Sequence, residues 1–410
     1  MEIRPILSAL RRHKTAAALI VLEIALSCAI ICNALFLVSQ RLDTLHMQSG
    51  IAEHELVQIR LGGIGKHADA DARTREDLAA LRSVPGVTHA ITINQVPFQG
   101  GSWNTGLANT PDQQVPTLNA AQYMAAPGML QTMGLKLVAG RDFEPSEYRY
   151  GSEFENNTDA DFVAGPMIVN ESVAKKLFPE GGTQAAIGKV VYMANIPMTI
   201  VGVVETLARP NNGNGEWHNS IIFPWQANYT NGGYYLIRVT DPARRAEVLK
   251  NAVAMLQKID PNRIVLEQQT YDDIRNDYFA GDRDMIGLLI AVCVLLLAVT
   301  ALGIVGLASF WVQQRTRQIG VRRALGATRS QITRYFQTEN FLLATAGIVI
   351  GMLLAFAINQ LLMGKYELPR LPWHYLPIGA VLLWALGQVA VLWPARRAAN
   401  IPPAIATRSA

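Results

Sequence analysis

The chain is short of charge. Asp, Glu, Lys and Arg make up 17% of its 410 residues, against about 25% in an ordinary soluble domain. Cysteine is scarce too. Cys28, Cys32 and Cys293 all fall inside apolar runs, which excludes a disulfide framework outside a membrane. Cys28 and Cys32 are four apart and share a helix face as small packing residues. The seven histidines are scattered, and no His-x-x-x-His or cysteine cluster has metal-ligand spacing. The nearest approach to a phosphate-binding loop is Arg60-Leu-Gly-Gly-Ile-Gly-Lys-His67, which lacks the first glycine and the final Ser or Thr. No catalytic constellation stands out, and nothing points to nucleic acid.

The missing charge is explained by four apolar runs. They are Ala16–Val38 (23 residues), Met285–Val312 (28), Phe341–Met363 (23) and Leu376–Trp393 (18). A helix needs roughly 17–25 apolar residues to cross a ~30 Å hydrocarbon core. All four qualify as spans, the last near the lower limit. The first run is longer than a signal-peptide core and ends in Leu37-Val38-Ser39-Gln40-Arg41 without a small-residue cleavage site, so it is expected to stay as an anchor.

Basic residues orient the spans. The segment 1–15 carries Arg4, Arg11, Arg12 and Lys14. The 313–340 segment carries Arg315, Arg317, Arg322, Arg323, Arg329 and Arg334. The tail, 394–410, carries Arg396, Arg397 and Arg408. Together these segments hold 13 basic residues against two acids, Glu2 and Glu339. Segment 39–284 holds 21 basic and 28 acidic residues, a net of −7. Both termini and 313–340 are therefore expected in the cytoplasm, with 39–284 and the short 364–375 loop outside. The many carboxylates of 39–284 are read as a solvated surface.

Within 39–284 two similar patterns stand at the ends. Glu55–Leu61 alternates like a strand, Asp69–Arg82 is helical, and Val87–Ile93 is a second strand after the turn Val84-Pro85-Gly86. Tyr234–Thr240 is a strand, Asp241-Pro242 opens a helix through Lys258, and Arg263–Glu267 returns after Asp260-Pro261. Two such units can pair as a ferredoxin-like split βαβ sandwich. The spacing thus predicts an α+β domain: porter-like segments 39–96 and 231–270, with 97–230 inserted as a β-rich subdomain. In that insertion Met167–Val169 and Met198–Val204 look like strands, Glu171–Phe178 a short helix, and Asn211–Gly215 a polar loop. Segment 271–284 has no proline and one glycine. It is expected to run as a stalk directly into span two, one helix from about Tyr271 to Arg315 and ~65 Å long.

The 313–340 segment is the most informative. A helical stretch from Arg315 to Leu325 stops at Gly326, a natural C-cap. Thr328-Arg-Ser-Gln331 then fits a capping box, so a second helix starts almost at once and runs into span three. The result is a short basic hairpin suited either to anionic lipid or to a cytoplasmic protein. Within the spans, Glu23 is the one acid, best explained by a hydrogen bond across a helix interface. Gly347, Gly351 and Ala355 form a small-residue face for close helix packing.

Gln318-Ile-Gly-Val-Arg-Arg-Ala-Leu-Gly-Ala327 resembles the coupling motif of the MacB/FtsX/LolC superfamily of ABC-transporter permeases. Most members carry Glu where this chain has Gln318. Tyr123–Phe143, Ile168–Pro179, Ala186–Lys189 with Ile200–Val204, and the ending Pro394–Ala404 are similar to other segments of the same family, in the same order. The resemblance implies a bacterial inner-membrane permease that dimerises with a second copy or a paralogue. It implies that cytoplasmic ATPase subunits dock on Gln318, Ile319, Gly320, Val321, Arg322, Arg323, Ala324, Leu325, Gly326 and Ala327. ATP and Mg would be bound by that partner, this chain holding no cofactor and performing no catalysis itself. MacB-like members use a periplasmic adaptor and an outer-membrane channel for efflux. FtsX-like members instead regulate cell-wall hydrolases, and LolC-like members release lipoproteins.

Overall fold

The computed structural model describes residues 14–62, 69–150, 164–193, 195–211, 217–229, 233–366 and 369–402. The basic residues before position 14 and Arg408 lie outside them, as do most of the Asn211–Gly215 loop and the Gly63–His67 end of the phosphate-loop lookalike. The described chain divides into two units, Met1–His46 with Gly281–Ala410, and Met47–Ala280.

The first unit holds four helices long and apolar enough to cross a membrane: α1 (Lys14–Leu45), α7 (Ala280–Gln314), α9 (Arg329–Tyr366) and α10 (Tyr375–Ala399). Each extends past its apolar run. The third gains most, to 38 residues, and the fourth reaches 25 with Pro394 inside it. Helix α1 is the centre of the unit, because small residues let α9 lie directly on it. A Cβ at Gly347 would fall 2.8 Å from the Ile24 Cβ, and one at Gly351 would fall 2.6 Å from the Cys28 Cβ and 2.7 Å from the Ala25 carbonyl oxygen. One turn further, the Asn33 amide donates to the carbonyl of the buried Ala355 at 3.1 Å. Gly351→Leu must therefore force backbones apart. It is expected to cost about 1–3 kcal/mol, as overpacking does, seen as a lower melting temperature of the purified protein in mild detergent.

Helix α7 meets the others along a narrow stripe. Thr300, Ile304, Ala308 and Trp311 are buried, while Leu295 and Leu302 face outward. The stripe is polar where it meets α1: the Ser27 and Thr300 hydroxyls are 2.8 Å apart. One turn away, Glu23 stands over Gly303, where an added Cβ would lie 2.5 Å from a carboxylate oxygen. At the far end Arg41 forms an ion pair with Asp282.

Among the described residues the second unit contains two sheets of more than two strands. Strands β1 (Leu56–Gly62), β2 (Val87–Ile93), β12 (Tyr234–Val239) and β13 (Ile264–Thr270) form an antiparallel sheet in the order β13-β1-β12-β2. Helices α2 (Ala70–Ser83) and α5 (Arg245–Ile259) cover one face of it. That is the ferredoxin-like arrangement of two paired βαβ units. Alternation sends Val57, Ile59, Leu61, Tyr235 and Ile237 into the helix-covered core. Within that core Asp77 and Arg263 are paired, and Tyr235 donates its hydroxyl to the same Asp77 oxygen. Burial first, and the Asp77 carboxylate second, push the Tyr235 phenol far above its ordinary value, so it remains a proton donor.

The inserted sheet comprises β3 (Asn104–Ala108), β4 (Leu118–Met124), β5 (Leu137–Gly140), β7 (Gly165–Asn170), β8 (Val190–Met193), β9 (Ile196–Val204) and β10 (Ser220–Phe223). Strand β8 pairs with both β3 and β9, so β9-β7-β10-β4-β3-β8 closes into a ring, with β5 on the remaining length of β9. Helix α4 (Glu171–Leu177), capped by the Asn170 side chain, packs on its core, and α3 (Met129–Met133) follows β4. A separate two-stranded pairing joins β6 (Arg149–Tyr150) to β11 (Trp225–Gln226).

The expected unbroken stalk helix is not formed. Helix α6 (Tyr271–Tyr278) starts from a capping box between Thr270 and Asp273 and ends at Phe279; α7 starts at the next residue. The cause is packing. Phe279 is buried against Phe98, with ring centroids 5.0 Å apart, and Trp217 and Tyr278 complete an aromatic cluster. The Arg275 guanidinium lies 4.8 Å from the Phe98 ring centre and 5.2 Å from that of Phe279. Propensity favours a continuous helix here, but burial of Phe279 decides the geometry.

Candidate functional site: the hairpin between spans two and three

Helix α8 (Thr316–Ala324) follows α7 after a single non-helical residue, Arg315. Its end is a Schellman motif. The Gly326 amide donates to the Arg323 carbonyl at 3.1 Å, and the Ala327 amide donates to the Arg322 carbonyl at 3.0 Å. Gly326 has φ +95°, a left-handed conformation that costs glycine nothing. Helix α9 then starts from a reciprocal capping box. The Gln331 amide donates to the Thr328 hydroxyl at 3.2 Å, and the Thr328 amide donates to the Gln331 side chain at 2.9 Å. Two adjoining caps therefore fix the turn with no longer linker.

Three side chains hold α8 down. At its start, one Arg315 nitrogen donates to both carboxylate oxygens of Glu339, at 3.0 and 2.8 Å, and both residues are buried. The same guanidinium lies 5.5 Å from the Trp311 ring centre. In the middle, Ile319 is buried among Ile332 and Phe336 in the span core. Near its end, Arg323 donates to the last-turn carbonyl of Ala399 on α10 at 3.0 Å. Arg322 stands over Tyr335, 5.1 Å from the ring centre.

The ten residues singled out in the sequence thus divide by face. Ile319 and Gly320 are buried, and Arg323 and Ala327 are half-buried. Gln318, Val321, Arg322 and Leu325 are exposed at i, i+3, i+4 and i+7, one continuous stripe, with Ala324 and Gly326 beside it. Leu325 is 83% exposed, the largest value among the exposed large hydrophobic residues of the described chain. The stripe can bind by apolar contact at Val321 and Leu325, with Gln318 and Arg322 giving polar direction. Sequence reasoning missed the Arg315–Glu339 pair, although Glu339 is the one acid within 313–340. Glu23, Gly347, Gly351 and Ala355 lie elsewhere, between spans, and are not part of this surface. No group of His, Cys, Asp and Glu among the described residues has the arrangement of a metal site.

Four spans, an α+β domain inserted after the first and a doubly capped hairpin after the second define a membrane protein of the permease class. A family model described as the MacB-like periplasmic core domain matches residues 15–254, and one described as the FtsX-like permease C-terminal matches 290–403. The chain belongs to the MacB/FtsX family of ABC-transporter permeases and is an inner-membrane protein with a periplasmic domain. Among curated relatives, the macrolide export ATP-binding/permease protein MacB of Bradyrhizobium diazoefficiens is 28% identical over 67% of this chain and 41% of its own length. That of Shewanella sp. (strain ANA-3) is 24% identical over 85% of this chain and 51% of its own. The chain thus spans about half the length of these relatives, or less. Among solved structures, the periplasmic region of MacB from Actinobacillus actinomycetemcomitans covers 57% of this chain and 97% of its own, with a TM-score of 0.34 and 16% identity.

Proposed function

We propose that this chain is the permease subunit of an ABC complex, and that a separate cytoplasmic ATPase docks on the Gln318–Val321–Arg322–Leu325 stripe. The observation that carries this is the exposed Leu325 on a helix that is otherwise fastened to α9 and α10. An apolar side chain left in water on a rigid support is what a partner surface requires. The positive-inside rule supports a cytoplasmic hairpin. Two permease copies, or one copy and a paralogue, would each present one stripe to an ATPase dimer. Nucleotide-driven movement would enter at α8, pass along α7 and reach the periplasmic unit through the Phe279 break. Export of a small molecule or peptide with a periplasmic adaptor and an outer-membrane channel fits this best, supported by relatives named as macrolide exporters.

The test is affinity purification of the tagged chain in mild detergent. Wild type is expected to bring down an ABC ATPase and an adaptor. Leu325→Asp, which buries a charge in the contact, is expected to lose at least tenfold of the ATPase, as interface anchors do. The adaptor should stay bound. Recovery of no ATPase with wild type would overturn docking. An ATPase recovered with a cell-wall hydrolase would replace export by regulation.

A further inference from the structure

The helix-free face of the four-stranded sheet is not flat surface. It forms one side of a cavity of about 750 Å³ within the periplasmic unit, a size that holds a drug-sized molecule. Strand alternation decides what lines it. Arg60 on β1, Tyr234 on β12 and Glu267 on β13 are the out-of-phase partners of the core residues, so they face the cavity. The opposite wall is Trp103, before β3, and the far end is α6 with Asp277 and Tyr278. Phe98 closes the floor; it is fully buried and holds φ +61°, a conformation few side chains of its size adopt.

Charge and aromatic surface point the same way. The Arg60 guanidinium is already engaged: it donates to Glu267 at 3.0 Å and stands 5.2 Å from the Tyr234 ring centre. Asp277 accepts an amide hydrogen bond from Gln269 at 3.2 Å, and no cation pairs with it among the described residues. Trp103 lines the cavity and is 51% exposed, so much of its indole is left uncovered there. The lining thus carries two carboxylates, one guanidinium spent on one of them, and an open aromatic face. We infer that this cavity binds an organic cation, an amine carried on an apolar body, with the charge between Asp277 and the Trp103 ring and the body against Tyr278 and Phe98. Carboxylate and ring face both attract such a charge, and an indole is the strongest of the aromatic faces. An anion would meet Asp277 unshielded. Because Phe98 and Tyr278 also pack on Phe279, the occupied cavity adjoins the residue where α6 gives way to α7.

The site is separate from the ATPase stripe, so its test needs no ATPase, and its failure leaves the docking proposal untouched. The full chain is placed in phosphatidylcholine nanodiscs and titrated calorimetrically with benzyltrimethylammonium. Benzyl alcohol and benzenesulfonate serve as neutral and anionic counterparts. Wild type is expected to bind the cation at least tenfold more tightly than either. Asp277→Asn and Trp103→Ala are each expected to weaken cation binding about tenfold, and Trp103→Phe to keep most of it. Unchanged circular dichroism and melting would show that the variants are folded. Equal affinity for the sulfonate, undiminished binding by both Asp277→Asn and Trp103→Ala, or no binding by wild type would each overturn the inference.

Discussion

Arg315→Ala is expected to lower the melting temperature sharply and to abolish ATPase capture. Glu339 is 1% exposed, and removing its guanidinium partner leaves a carboxylate buried without that charge. Breaking a buried pair from one side costs about 3–5 kcal/mol, because the remaining ion loses the charge that offset its desolvation. The loss falls where α7 turns into α8, so the stripe carrying Leu325 would no longer be held in place. Arg315→Lys should rescue only part, since one ammonium replaces a planar fork and loses the contact with Trp311. The double replacement Arg315→Met with Glu339→Met is expected to recover most of the stability, because neither charge is then buried. Thermal unfolding in detergent and ATPase capture, measured on the same preparations, separate the two effects. A wild-type melting temperature for Arg315→Ala would show that the pair is not holding the hairpin.

Asp77→Ala is expected to destabilise the periplasmic unit by a similar amount. Asp77 is 0% exposed and receives both the Arg263 guanidinium and the Tyr235 hydroxyl. It ties α2 to β12 and to the residue just before β13, which are the two halves of the four-stranded sheet. Its removal leaves the buried Arg263 beneath the Tyr229 ring, 5.3 Å from the ring centre, with Asp260 at 3.4 Å in place of the closer Asp77 contact. A cost of ~3–5 kcal/mol corresponds to a fall of roughly 10 °C for a unit of this size. Asp77→Asn keeps a hydrogen-bond acceptor but no charge, and should fall between. Differential scanning calorimetry of the full chain checks both values, and ATPase capture should be unaffected.

The sequence made the membrane layout legible because apolar runs and basic clusters are local signals. The ferredoxin-like sheet was legible for the same reason: Leu56–Gly62 and Tyr234–Val239 are short apolar, β-branched-rich or aromatic runs, and turn residues separate them from their helices. The hairpin caps could be read from Gly326, Thr328 and Gln331, whose side chains or lack of one act within a few residues. What could not be read depends on partners distant in the chain. Several strands of the ring, such as Val190–Met193, are too short for any alternation to stand out. The stop at Phe279 has no breaker in the sequence; it follows from Phe98 and Trp217, which lie far away along the chain. The same holds for Arg315, whose role is set by Glu339, 24 residues further along in another helix. On the candidate stripe, the motif located the residues, but only the burial of Ile319 and Gly320 showed which side of α8 is left for a partner.

The interleaving of the two sheets sets a timetable for synthesis. Strand β1 finds its neighbours only in β12 and β13: Leu56 pairs with Arg238, and Val57 with Thr270. All strands of the ring, from β3 to β10, precede both of those strands in the chain. Pairings so remote in sequence form slowly, since the loop between them must be closed first. A finished ring shortens that search by bringing its two chain ends into one body. Sequence order therefore lets the inserted subdomain form ahead of the sheet that carries it, and β1 is the strand of that sheet synthesised longest before its partners.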